Sequence, residues 1–303
     1  MTDVALRQDP KESGSPLMFG NNIKPKVVAR ELRIQLASTR TWTLLFLPGL
    51  VAVAITAFIV AYGNADPEMV GTGFTMHPVG SGFAYPFVAM NTERFFILPL
   101  IVAMFAGETL AGEASWGSLR YILASPVSRK SLFATKTAVS AMEMLAAIVL
   151  LPALSLMAGI MASGAGPLQV LNTGAPAMGA SAQASFSVPA ALGALAGGTG
   201  LIAVSMLSTF SFALFLSAFT NQPFIPVAGG VGLLMVSRAI ANIPGLSVIT
   251  PLLPTAYGIH WADVLSANGP GVDVLYLVII QVVWCIVLVS TAAWHFTRQD
   301  ISW

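Results

Sequence analysis

The sequence predicts an all-α polytopic membrane protein with six transmembrane helices. Hydrophobic residues make up 56% of the 303 residues and charged residues only 9%, and the mean hydropathy is +0.79. Soluble domains carry roughly 25% charged residues, so this composition does not supply a water-exposed surface. Apolar runs long enough to cross a bilayer recur along the chain. They predict spans at about residues 42–62, 94–112, 137–162, 189–219, 224–242 and 274–296.

The segment before the first span has two parts. Residues 1–20 mix charged residues with Gly, Ser and Pro without periodicity, which predicts a disordered tail ahead of a single transmembrane domain at 21–303. Val28, Leu32 and Leu36 then recur at helical spacing, with basic residues on the other faces. This pattern predicts an N-terminal amphipathic helix lying along anionic headgroups. An ordinary positive flank that fixes orientation explains it equally well.

The connections between spans differ in character. Residues 63–93 are polar, and residues 163–188 contain no charged side chain. Residues 243–273 are moderately apolar but are interrupted by four prolines, Pro244, Pro251, Pro254 and Pro270. Backbone interrupted in this way does not span lipid unless protein supports it. We therefore expect short re-entrant helices on the outer side between spans five and six.

The basic residues predict the orientation. Seven of the 14 Lys and Arg residues precede span one, four lie within 114–136, and Arg298 follows span six. Only Arg94 and Arg238 fall on the other side of the membrane. By the positive-inside rule, both termini and the 114–136 connection are cytoplasmic, and the protein is a multi-pass protein of the cell membrane.

The sequence contains no pattern for chemistry of its own. It has no Gly-Lys dipeptide, so a Walker A phosphate loop is excluded. The three histidines are scattered, and Cys285 is the only cysteine, so no metal-ligand spacing is present. Converging His, Asp or Ser groups, which an intramembrane enzyme needs, are not found. We predict no catalytic residue, no metal, no cofactor within this chain and no nucleic-acid partner.

The connection between spans two and three mixes charges of both signs with helical spacing. Trp116, Leu119 and Leu123 lie at i, i+3 and i+7 and form a narrow apolar face. Ser125-Pro126 interrupts this helix, and the same pair is typical of the start of a new one. We expect a rigid bent elbow that continues through Lys136 into span three. A positively charged cytoplasmic loop without a partner is the alternative.

This connection resembles the signature of type-2 class ABC transporter permeases. The resemblance is carried by Glu113-x-x-x-Gly117-Ser-Leu-x-x-x-Leu123-x-Ser-Pro126-Val-Ser-Arg129-x-x-Leu-x-x-x-Lys136, in which Ser118 stands where the family commonly has Thr. It extends to Glu31-Leu32-Arg33 before span one, to the proline-interrupted segment between spans five and six, and to the Phe296-x-x-x-Asp300-Ile301 tail. Only the connection is specific, because the remaining similarity is one of topology.

The resemblance implies a permease half of an ATP-driven exporter. Two such halves, identical or related, pair in the membrane and contact its lipids, and two cytoplasmic ATPase subunits bind ATP and Mg²⁺ below them. The 114–135 loop is then the coupling element that receives motion from the ATPase. The expected coupling residues are Glu113, Gly117, Ser118, Leu119, Arg120, Tyr121, Leu123, Ser125, Pro126, Val127, Ser128, Arg129, Lys130 and Lys136.

Five polar residues within the spans are candidates for a gate or a substrate path. Glu108 and Glu143 lie near the inner ends of spans two and three, where burying a charge is costly. Either they support the elbow through Lys136 or Arg120, or they reach interfacial water. Ser205, Ser208 and Thr209 share one side of span four. They line a substrate path, form hydrogen bonds to other helices or bond to carbonyls of their own helix.

A second class of function stays open. An ion-gradient-driven transporter or channel would act without an ATPase, and it would call for paired carboxylates or broken helices near the membrane midplane. The spans carry few charges, which favours an apolar or amphipathic cargo.

Overall fold

The computed structural model of the chain describes residues 25–62, 68–69, 74–77, 81–115, 117, 128–172, 182–243, 245–246, 248–255, 258, 260–265 and 271–298. The predicted tail at residues 1–20 and most of the predicted elbow lie outside these ranges.

The described residues are mainly helical. The helices are α1 (Pro25–Leu36), α2 (Thr39–Tyr62), α3 (Ala84–Glu93), α4 (Ile97–Ser115), α5 (Arg129–Ser163), α6 (Val188–Ser205), α7 (Leu207–Phe219), α8 (Phe224–Ala241) and α9 (Val272–Arg298). Six segments are long and apolar enough to cross a membrane: α2, α4, α5, the α6–α7 pair, α8 and α9. The predicted all-α architecture with six spans is confirmed. The N-terminal side is defined here as the side that carries α1 and the α4–α5 connection.

Helix α1 confirms the predicted N-terminal helix and shows which of its faces packs against the rest of the protein. Val28, Leu32 and Leu36 are half-buried, as the helical spacing predicts, whereas Arg30 and Arg33 are exposed. Polar side chains also lie on this half-buried face, because residues three or four positions apart share one face of a helix. This face packs against α2 and α5.

Helix α3 corrects the prediction that residues 63–93 form a polar connection. Phe83, Phe87 and Met90 are fully buried, because this short helix packs against both α2 and α5. Gly82 allows the close approach: a Cβ there would lie 2.4 Å from the backbone nitrogen of Ile160. The second span therefore begins at Ile97, not at 94.

Four short strands pair on the side opposite α1, which is called the sheet side here. They are β1 (Glu68–Met69), β2 (Phe74–His77), β3 (Leu168–Asn172) and β4 (Ala182–Phe186), all antiparallel in the order β1-β2-β3-β4. These strands were not predicted from the sequence. Within β3, Leu168 and Val170 are buried and Gln169 is exposed, which is the alternation of a half-buried strand.

The fourth span is interrupted, although the sequence predicts one helix over 189–219. Helix α6 ends at Ser205, and α7 begins at Leu207. Gln281 of α9, which is fully buried, accepts a hydrogen bond from the Ser208 backbone N–H at 3.0 Å. Its amide nitrogen donates to the Pro254 carbonyl at 2.6 Å. One side chain of span six therefore supports both the helix break and the proline-rich segment.

The proline-rich segment between spans five and six contains two short 3-10 helices, Thr250–Leu252 and His260–Leu265. The predicted short, protein-supported helices are therefore confirmed. Trp261 is fully buried and stacks on Phe87 with ring centroids 6.4 Å apart. Gly198 of α6 leaves room for this indole, because a Cβ there would already lie 3.4 Å from it.

Candidate functional site: a polar cleft on the N-terminal side

A polar cleft forms where α1, α2, α4 and α5 meet on the N-terminal side. The name N-terminal cleft is used for Glu31, Gln35, Arg40, Glu108, Glu113, Lys136 and Glu143, which line a cavity of about 310 Å³ with several apolar neighbours. Four predicted site residues, separated by up to 35 positions in the sequence, are brought together here: Glu108, Glu113, Lys136 and Glu143.

Lys136 lies at the centre of the cleft. Its side chain is only 4% exposed, and its Nζ donates to Glu31 Oε1 at 2.8 Å and to a carboxylate oxygen of Glu113. A buried ammonium is tolerated only when it is paired in this way. Because Glu113 is near the end of α4 and Lys136 is near the start of α5, the contact holds together both flanks of the α4–α5 connection. The Glu31 contact adds α1 to the same unit.

Arg40 and Glu108 form a second ion pair, between the first turn of α2 and α4. Their side chains are 42% and 23% exposed, so solvent screens this pair more than it screens Lys136. Glu108 is paired with Arg40, whereas Lys136 is engaged by Glu31 and Glu113, and no contact between Glu108 and Lys136 is found among the described residues. Arg120, the other suggested partner, lies outside the described residues.

Glu143 lies deepest in the cleft. It is seven residues beyond Lys136 on α5, or about 10 Å along the helix axis, and it is 5% exposed. Its neighbour is the Gln35 side chain of α1, which donates to both carboxylate oxygens at 2.7 Å when the amide nitrogen faces Glu143. The amide orientation is assigned from this hydrogen-bond pattern. The suggested link between Glu143 and Lys136 is therefore replaced by a contact with α1.

The wall between α4 and α5 is also closed by hydroxyl groups. Thr109 Oγ1 and Ser140 Oγ lie 2.8 Å apart, and both side chains are buried. Ser140 also donates to the Lys136 carbonyl at 3.1 Å. These contacts fix the register of the two helices next to the ion pairs. The cleft is consequently a rigid junction of four helices with four carboxylates and two cations.

Four predicted coupling residues in the α4–α5 connection are described, apart from Glu113 and Lys136. Ser128 caps α5 by accepting a hydrogen bond from the Ser131 N–H at 3.2 Å, and α5 runs without interruption through Lys136. Arg129 is half-buried, and Lys130 is exposed. Gly117 has a φ of +69°, a value that favours glycine. The remaining predicted coupling residues lie outside the described ranges: Ser118, Leu119, Arg120, Tyr121, Leu123, Ser125, Pro126 and Val127.

The three polar residues of span four do not line one path. Ser208 and Thr209 are each 1% exposed and are enclosed by the chain. Ser205 donates to the Ile202 carbonyl at 2.8 Å, and it borders a different cavity near Arg94 and Arg238. The predicted hydrogen bonding to helix carbonyls is therefore confirmed for Ser205.

Glu31, Gln35 and Arg40 were not selected as site residues from the sequence. Glu31 and Gln35 are four residues apart, so they share a helix face, and that face is half-buried. A polar pair on the apolar side of an amphipathic helix is the signal that would have identified them. Arg40 is one of the seven basic residues that precede the predicted span one, and the structure places it in the first turn of α2.

A second group of charged residues lies on the sheet side, near the start of α4. Glu93 is completely buried, and burial raises the pKa of its carboxyl to about 8. Burial, and to a lesser degree the nearby Arg238 guanidinium, lowers the pKa of Arg94 to about 10. At neutral pH Glu93 is therefore mostly protonated and Arg94 is charged. Arg238 donates hydrogen bonds to the backbone carbonyls of Phe95 and Arg94.

Comparison with known proteins assigns a family. A family model described as "Protein of unknown function (DUF2705)" matches residues 49–302, which include four of the seven residues of the N-terminal cleft. The other three, Glu31, Gln35 and Arg40, precede the matched range. No curated protein matches the chain. Because the match covers more than half of the sequence, the chain belongs to the DUF2705 family.

Proposed function

We propose that this protein is the transmembrane permease subunit of an ATP-driven ABC exporter, in which the 114–135 connection couples the spans to a separate cytoplasmic ATPase. In this arrangement the N-terminal side faces the cytoplasm, as the distribution of basic residues favours. Two copies, or one copy and a related subunit, form the translocation path, and the ATPase supplies bound ATP and Mg²⁺.

The contact of Lys136 with Glu113 and Glu31 is the observation that supports this proposal most directly. It holds together the helices that enter and leave the connection and attaches α1 to them. A force applied to the connection is then transmitted to α1, α4 and α5 as one body. The resemblance of residues 113–136 to the permease signature points to the same segment.

The test is co-expression with the ABC ATPase encoded nearest to this protein's gene. We expect the complex to hydrolyse ATP and the isolated chain to have no ATPase activity. The double variant Arg129→Glu with Pro126→Gly should lose the partner or uncouple hydrolysis from transport. Arg298→Glu, a charge reversal at the end of α9, is the matched control. Normal assembly and normal transport in the double variant would contradict the proposed contact.

An ion-gradient-driven transporter is the second candidate. It is supported by the excess of carboxylates over cations in the N-terminal cleft and by the depth of Glu143. Reconstitution of the chain alone in liposomes separates the two functions. Uptake driven by a proton or sodium gradient, without ATP and lost in Glu143→Gln, would favour the transporter over the permease.

A further inference from the structure

The two basic residues of the sheet side, Arg94 and Arg238, are neighbours in the fold. Arg94 precedes α4, and Arg238 is in the last turn of α8. Both guanidinium carbons lie over the ring of Phe95, at 4.3 Å for Arg94 and 4.7 Å for Arg238. Two positive charges are therefore held at one aromatic ring. Their attraction to the ring offsets only part of their mutual repulsion and of the cost of removing them from water.

Neutral groups hold the two guanidinium groups in place. Arg238 donates to the carbonyls of Phe95 at 2.8 Å and Arg94 at 3.1 Å. Arg94 donates from Nε to Asn91 at 2.9 Å and from Nη1 to the Gly258 carbonyl at 3.4 Å. Its Nη2 has no hydrogen-bond partner in the part of the chain that the structure describes, although Arg94 is only 5% exposed. Within the described ranges, neither arginine is paired with a carboxylate.

A cavity of about 220 Å³ borders both arginines. Ser205, Asn242 and Thr255 contribute polar groups to its wall, and no Asp or Glu is among the described residues that line it. Met206 and Leu234 contribute apolar surface. A cavity of this size holds a phosphate or carboxylate with a few attached carbon atoms, but not a whole lipid or drug.

An anion in this cavity would supply the negative charge that the two arginines lack. Glu93 does not supply it, because its buried carboxyl is mostly protonated at neutral pH. A guanidinium donates two parallel hydrogen bonds to a phosphate or carboxylate, and such charge-assisted bonds are stronger than neutral ones. The apolar wall next to the charges suits the first carbons of an acyl or glyceryl group.

We propose that the cavity bordered by Arg94, Arg238 and Ser205 binds the anionic head group, a phosphate or carboxylate, of an amphipathic molecule. The site lies on the sheet side, at the far end of the spans from the N-terminal cleft. Its existence does not depend on an ATPase partner, so binding is testable with the isolated chain.

The test is native mass spectrometry of the purified full chain in a neutral detergent. The probes are dioctanoyl phosphatidylglycerol, which is anionic, and dioctanoyl phosphatidylcholine, which is zwitterionic. We expect tighter binding of the anionic lipid, and at least about tenfold weaker binding of it in Arg94→Gln and Arg238→Gln, because each variant loses a charge-assisted contact. Arg298→Gln removes one exposed positive charge elsewhere and should bind as the wild type does.

A fourth variant distinguishes loss of the binding site from loss of folding. Ser205→Leu keeps both arginines but fills the cavity, and it should also weaken binding of the anionic lipid. Size-exclusion chromatography confirms that each variant is folded. Equal binding of the two lipids to the wild type, or unchanged binding in the folded Arg94→Gln and Ser205→Leu variants, would overturn the proposal.

Competition with inorganic phosphate identifies the source of the anion. If millimolar phosphate displaces the anionic lipid from the wild type, the site recognises the head group alone, and a water-soluble anion is a ligand. If phosphate does not displace the lipid while the arginine variants still lose it, the attached chains are required and the ligand is a lipid. Both results support an anion site, and they differ in what occupies it.

Discussion

Two groups of charged residues lie at opposite ends of the spanning helices, and the chain stabilises them in different ways. In the N-terminal cleft, Lys136 and Arg40 each contact a carboxylate from another helix. On the sheet side, Arg94 and Arg238 contact carbonyls and an aromatic ring, and the Glu93 carboxyl has no hydrogen-bond partner among the described residues. Ion pairs join helices to one another, whereas buried ionisable groups without an opposite charge leave interactions available for a ligand or a proton.

The largest effect is expected at Lys136. Lys136→Met should lower the free energy of unfolding by about 3–5 kcal/mol, because it leaves Glu31 and Glu113 facing each other without their cation. Thermal unfolding in detergent measures the change. Lys130→Met, which makes the same substitution at an exposed position on α5, should change the midpoint little.

Two further substitutions show whether Lys136→Met loses stability through uncompensated charge or through a general packing defect. Adding Glu31→Gln and Glu113→Gln to Lys136→Met removes the stranded carboxylates and should restore part of the stability. A triple variant no more stable than Lys136→Met would show that the loss comes from packing and not from uncompensated charge.

Glu93 should make stability depend on pH. Its pKa is about 8 in the folded chain, against an ordinary value of 4.5, so the folded state retains a proton that the unfolded state loses. The resulting stability is complete below about pH 4.5 and is lost as the pH rises through 8. Between pH 5 and 9 the unfolding midpoint of the wild type should fall by at least about 5 °C relative to Glu93→Gln.

The control for Glu93 is Asp273→Asn, which removes an exposed carboxylate at the start of α9. Its midpoint should follow that of the wild type across the pH range. Parallel curves for the wild type and Glu93→Gln would mean that the Glu93 carboxyl does not titrate in this window.

The smallest effect is expected for Arg40 and Glu108. A double-mutant cycle with Arg40→Gln and Glu108→Gln should give a coupling energy of about 1 kcal/mol or less, because both side chains are partly exposed. High salt should reduce this energy further. A coupling energy as large as the loss expected for Lys136→Met would mean that the Arg40–Glu108 pair is shielded from solvent in the membrane.

The spans were predictable from the sequence, whereas their contacts were not. Long apolar runs identify α2, α5 and α9 because lipid requires continuous hydrophobic surface. Helix α3 was missed because a ten-residue helix is too short to span and its apolar residues follow a polar stretch. Strand β3 was missed because five residues without charge do not separate a strand from a loop.

The N-terminal cleft was predicted in part. The cost of burying a charge identified Glu108 and Glu143 as unusual, and the spacing of the α4–α5 connection selected Glu113 and Lys136. Their partners Arg40, Gln35 and Glu31 depend on how α1 and the first turn of α2 fold back against α4 and α5. Sequence spacing within one helix does not contain that information.

Pairing of β2 with β3 has a consequence for how the membrane helices come apart. It joins the α2–α3 connection to the α5–α6 connection by backbone hydrogen bonds. Proteolytic cleavage of the chain between β2 and α3 would therefore leave α2 attached through the strands. Fragments produced by such a cut should co-purify under native conditions and separate only in denaturant.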